Sequence, residues 1–137
     1  MEKQNENKIK HLEFIQLTIT RMNLNSFMVK GWLVTLVAAI FILSEKDANT
    51  KFLWYAPFAT LLLYFLDGYF LMIERQYRSL FDYVRTLKEE EIDYSMDVSK
   101  FQTGRNTFLR SLSSLTLILF YPAVFTTSII AAAFINS

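Results

Sequence analysis

Leu112–Ile135 reads LSSLTLILFYPAVFTTSIIAAAFI, a long run without a single charge. A helix that is apolar all round has no face to offer water. About 20 such residues cross a hydrocarbon layer of roughly 30 Å. Phe52–Ile73, FLWYAPFATLLLYFLDGYFLMI, has the same character over a similar length, with Asp67 as its only charge. Gly31–Ser44, GWLVTLVAAIFILS, is shorter, but it reaches spanning length as Phe27–Ser44 if Lys30 snorkels. The residues before it are mostly polar and no small-x-small cleavage pattern follows it, so it reads as a retained span rather than a signal peptide. The expectation is an all-α membrane protein with spans at 27–44, 52–73 and 112–135.

Composition narrows the function classes. The chain has 137 residues, enough for one membrane domain over 1–137. Apolar residues make up 53%, and 14 Lys and Arg stand against 13 Asp and Glu. These values exclude a disordered chain and a basic nucleic-acid binder, so no direct nucleic-acid contact is expected. Zero Cys and one His exclude disulfide scaffolds, thiolate metal sites and multi-histidine metal sites. No metal or cofactor is expected. There is no GxGxxG, Walker loop, HExxH or GxSxG, and every Arg follows His11, so an Arg-x₄₋₆-His nuclease pair is absent. The chain is not expected to be an enzyme.

Charge places the ends. Residues 1–30 carry five Lys or Arg and residues 74–111 carry seven, against two in Glu45–Lys51 and none after Ile135. The positive-inside rule then puts the N-terminus and 74–111 in the cytoplasm, and the short loop and C-terminus outside.

Both cytoplasmic parts have helical periodicity. Ile9, Leu12, Ile15, Ile19 and Met22 recur at three- and four-residue spacing, which predicts an amphipathic helix within 1–26. It lies on the membrane interface or packs on protein; Phe14 and Leu17 widen its apolar face and favour protein. Ile73, Tyr77, Leu80, Val84 and Leu87 carry a seam past the second span, so a single helix is expected from Phe52 to Glu91, with 74–91 as a projecting stalk. Glu74, Arg78 and Asp82 form an i, i+4 charge ladder on it, flanked by Arg75 and Arg85. Residues 92–111 read as a cytoplasmic loop.

Asp67 is the most informative residue. A carboxylate some 9 Å inside a span must face protein or water. It is either a pore-lining or gating charge or an ion pair that fixes packing, and Lys30 is its expected partner. Gly68 allows close helix approach. Ala123, Thr127 and Ala131 form a small-residue row for helix packing or, on the alternative reading, pore lining. Pro122 predicts a kink.

Three stretches carry a family pattern: Phe14–Trp32, FIQLTITRMNLNSFMVKGW; Leu66–Arg85, LDGYFLMIERQYRSLFDYVR; and Tyr94–Asp97, YSMD. Together they resemble a family of small multi-pass bacterial membrane proteins found among anti-phage defence genes, related to the membrane accessory protein of type VI-B CRISPR systems. The resemblance covers most of residues 9–122. It implies a bacterial inner-membrane location and a homo-oligomeric pore or membrane-perturbing effector. It draws attention to Lys30, Gly31, Trp32, Asp67, Glu74, Arg75, Arg78, Asp82 and Arg85. The expected partners are the lipid bilayer, further copies of the chain and a cytoplasmic defence protein. The alternative is a non-conducting anchor or regulatory subunit that recruits a cytoplasmic defence enzyme.

Overall fold

The computed structural model describes residues 2–46 and 50–135. The described residues form α-helices and short 3-10 turns, without strands. Helix α1 spans Glu2–Lys46, α2 Tyr55–Thr86, α3 Phe108–Leu112 and α4 Leu115–Ile135. Three helices are long and apolar enough to cross a membrane, within Glu6–Glu45, Lys51–Thr86 and Leu115–Phe134. The tip of the loop expected between the first two spans lies outside the described residues.

The expected amphipathic helix and first span are one continuous helix, not two. No Pro or Gly occurs before Gly31, and the inward positions keep one spacing across the junction. Ile15, Ile19, Met22, Ser26, Val29 and Leu33 follow one another at alternating intervals of four and three, and all are buried or half-buried. That interval holds one face of a helix against one neighbour. The neighbour is α2, which packs antiparallel along α1: Lys8 meets Leu87 at one end, and Lys30 meets Asp67 further along.

The second helix is shorter than expected at both ends. A 3-10 turn at Thr50–Trp54 leads in, and Pro57 sits in the first turn of α2, where a missing N–H costs no helical bond. At the other end Leu87 is extended, with φ −75° and ψ 151°, so the helix stops at Thr86 rather than Glu91. Lys8 Nζ donates to the Arg85 and Leu87 carbonyls at 3.2 and 2.5 Å, and so caps that end with a cation.

The stalk therefore does not project alone. Its seam is covered by the first half of α1 and by the segment after it. Ile15, Ile19, Leu80, Val84 and Ile92 form a buried cluster flanked by Leu12, Tyr77, Phe81, Leu87, Met96, Val98 and Phe101. A second cluster, Leu33, Leu112, Leu117 and Tyr121, joins α1, α3 and α4 and packs against Leu63, Tyr64 and Leu71 of α2.

The last span starts later than expected, at Leu115, since Leu112 belongs to α3. Ser113 and Ser114 make the turn between the two: Ser113 Oγ donates to the Leu109 carbonyl at 3.1 Å and the Ser114 N–H to the Ser111 carbonyl at 3.1 Å. Helix α4 then runs unbroken through Pro122.

Candidate functional site

Four polar side chains from three helices meet beside the second apolar cluster, of which Tyr121 is itself a member. Ser26 and Lys30 are one turn apart on α1, Asp67 lies midway along α2, and Tyr121 lies in the second turn of α4. Each follows the inward spacing of its helix, so the burial of the apolar seams carries these polar groups inward with them. Asp67 is 0% exposed and Tyr121 2%.

The carboxylate is well satisfied. Lys30 Nζ lies 2.5 Å from Oδ2, the Tyr121 hydroxyl donates to the same oxygen at 2.9 Å, and the Ser26 hydroxyl donates to Oδ1 in a short hydrogen bond. Lys30 also donates to Ser26 Oγ at 3.0 Å, so the serine relays between cation and anion. A buried carboxylate is tolerated when it is paired and its lone pairs are filled. Three donors from two helices do both here. Lys30 is the network's opening, with its side chain 23% exposed.

The structure brings Lys30 and Asp67 together within one chain, with the carboxylate fully buried. Gly68 faces the Leu112 side chain at very close range, with Leu117 behind it. Of the stalk charges, Arg78 Nε meets Glu74 Oε1 at 2.5 Å, and Glu74 is buried. Asp82 does not extend that ladder; it pairs with Arg85 at 3.3 Å, both exposed, a contact worth little. Arg75 turns the other way and donates to the carbonyls of Arg105 and Arg110 at 3.0 and 3.2 Å.

Within one chain, α4 packs through a face offset from the row Ala123, Thr127 and Ala131. The buried positions are Leu117, Tyr121, Ser128 and Ala132. Ala123 and Thr127 are exposed on the rim of an apolar groove, whose other wall is Val34, Val37, Ala38 and Phe41 of α1. The buried face is the one from which Tyr121 reaches Asp67.

Sequence reasoning missed Ser26 and Tyr121. Both left a signal. Ser26 stands four residues before Lys30, on the same helical face. Tyr121 places a hydroxyl inside an apolar span, where it needs a partner.

His11 is buried at 5% exposure, edge-on to the Tyr94 ring with centroids 5.5 Å apart. Its Nε2 has no hydrogen-bond partner. Burial pushes its pKa below the usual histidine value, and Asp93 opposes that shift. Among the described residues, no three His, Cys, Asp or Glu gather in a way that would hold a metal.

Comparison with protein-family models, curated proteins and solved structures finds no match.

Proposed function

We propose that the chain is a membrane-embedded effector of bacterial anti-phage defence that works as a homo-oligomer in the inner membrane, with the N-terminus and residues 74–111 in the cytoplasm. The observation that carries this reading is the Asp67 network. One buried carboxylate ties together the three helices able to span a membrane, through Ser26 and Lys30 on one side and Tyr121 on the other. Such a knot is a lock. With Asp67 charged and Lys30 in place, α4 is held against the α1–α2 hairpin; with the charge balance broken, α4 loses its polar anchor. Three spans of one copy enclose no water path, but a closed ring of copies does. In this reading Asp67 sets the resting arrangement and does not line the path. The defence setting is supported by the resemblance of residues 14–32, 66–85 and 94–97.

Native mass in lipid nanodiscs, with ion flux from liposomes of the same preparation, tests the reading. A closed species of roughly five or more copies, with flux raised by Asp67→Asn, supports it. A monomer or dimer, or flux indistinguishable from empty liposomes with both wild type and Asp67→Asn, overturns it.

The second reading, a non-conducting anchor for a cytoplasmic defence enzyme, is favoured by one observation. Phe14 and Leu17 are exposed by more than 60% on the half of α1 away from the spans, where a partner protein would cover them. A dimer that conducts nothing and retains a cytoplasmic protein would support that reading.

A further inference from the structure

The junction between α2, α3 and α4 gathers three arginines. Arg75 lies just beyond Ile73, the end of the apolar run on α2, and Arg110 lies shortly before α4 begins. The Arg75 guanidinium is half-buried and uses Nη1 for the carbonyls of Arg105 and Arg110. Its Nε and Nη2 donors have no partner among the described residues. The segment that carries the other two arginines is pinned to α2 as well. Gln76 Nε2 donates to the Asn106 carbonyl at 3.1 Å, and Asn106 Nδ2 donates to Ser79 Oγ at 2.8 Å.

Arg75, Arg105 and Arg110 make no ion pair among the described residues, and Glu74, the adjacent acid, is engaged by Arg78. Burial first, and then the neighbouring Arg105, push the pKa of Arg75 down, and Glu74 opposes them. Leu109 and Leu115, both exposed by more than 70%, flank the cluster. One fixed guanidinium, that of Arg75, with the exposed side chains of Arg105 and Arg110 and exposed leucines at the end of an apolar helix, matches a headgroup phosphate with its acyl chains alongside.

We propose that Arg75, Arg105 and Arg110 bind the phosphate of an anionic phospholipid headgroup where α2 and α4 meet the membrane surface. The proposal rests on the membrane reading above. Bound there, the lipid neutralises the cluster and fixes the 104–110 segment against α2.

The test uses the full chain in mild detergent, with phosphatidylglycerol, phosphatidylcholine or inorganic phosphate added, read by native mass spectrometry and thermal melting. The wild type should retain phosphatidylglycerol in preference to phosphatidylcholine and melt at a higher temperature with it. Arg105→Gln with Arg110→Gln, two exposed side chains, should keep the lipid-free melting temperature and weaken phosphatidylglycerol binding about tenfold, the scale of one lost charge-assisted hydrogen bond. Equal retention of the two lipids, or an unchanged preference in the double variant, would overturn the site. An equal melting shift from millimolar inorganic phosphate alone would overturn the lipid as its ligand. A chain that stays soluble and monodisperse without detergent would overturn the membrane reading first and the site with it.

Discussion

The Tyr121 hydroxyl lies 2.9 Å from Oδ2 of Asp67, the same oxygen that Lys30 approaches from α1. An ion pair between α1 and α2 alone would fix a hairpin and leave α4 to find its place by apolar contact. The tyrosine makes the carboxylate a three-helix joint. It also brings the Tyr64 ring to 5.4 Å from the Tyr121 ring, while the Tyr64 hydroxyl donates to the Leu112 carbonyl at 3.0 Å. The rotation and height of α4 on α2 are therefore set by directional contacts, while the apolar groove beside α1 adds surface without direction.

Removing one charge of the pair should cost more than removing both. Lys30→Ala leaves Asp67 charged and sealed, and breaking a buried pair this way costs about 3–5 kcal/mol. Asp67→Asn should cost less, since the Lys30 ammonium already reaches partly into the open. Lys30→Met with Asp67→Leu should recover part of the loss, because an apolar pair avoids desolvating two ions but leaves the Tyr121 and Ser26 hydroxyls without their acceptor. Thermal melts of the four proteins in one detergent check the order. A double variant no more stable than Lys30→Ala would contradict it.

Tyr121→Phe isolates the joint to α4. The ring remains packed and only the hydroxyl leaves, so the expected loss is about 1.5 kcal/mol, the low end for a hydrogen bond to a charged group. In the lock reading, the same variant should raise ion flux in the direction of Asp67→Asn and by less. Melting and flux measured on one preparation separate the two effects.

The three long apolar helices are legible in the sequence because each depends on a local property, an uncharged run of sufficient length. The pairing of Lys30 with Asp67 is legible for a related reason: a charge in a span needs an opposite charge at matching depth. What escapes the sequence is non-local. Nothing within residues 7–24 shows that their seam continues in register through Ser26 into Leu33, because that continuity exists only relative to α2. The stop at Thr86 depends on Lys8, which lies at the far end of the α1–α2 hairpin in sequence and beside Leu87 in space. The row Ala123, Thr127 and Ala131 is a genuine pattern, but it does not reveal which face of α4 packs within the chain; that face carries Tyr121 against Asp67.

Gly68 is a close approach that a single methyl group should disturb. A Cβ there would overlap the Leu112 side chain, with Leu112 Cγ at 3.2 Å and Leu117 Cδ2 at 3.7 Å. Gly68→Ala should destabilise by about 1–3 kcal/mol, the usual cost of overpacking. Leu112→Ala should cost on its own through the cavity it leaves. Together the two should be less damaging than their sum, since each relieves the other. A double-mutant cycle by melting that comes out additive would place the strain elsewhere.

His11 should make the half of the molecule away from the spans sensitive to mild acid. Its ring is buried beside Tyr94, its Nε2 is unpartnered, and burial lowers its pKa while Asp93 partly restores it. Lys10 is exposed next to it and already paired with Glu6 at 2.6 Å. The folded state thus favours the neutral ring more than the unfolded chain does, and between the two pKa values the unfolded chain binds more protons. Stability is then fully present above the unfolded value of about 6.5, and it falls as pH drops below that value until the folded ring also protonates. His11→Phe keeps an aromatic ring against Tyr94 and has no proton to bind. It should match the wild type at pH 8 and exceed it at pH 5.5 in melting temperature. Parallel pH dependences for the two proteins would show that the histidine does not couple to folding.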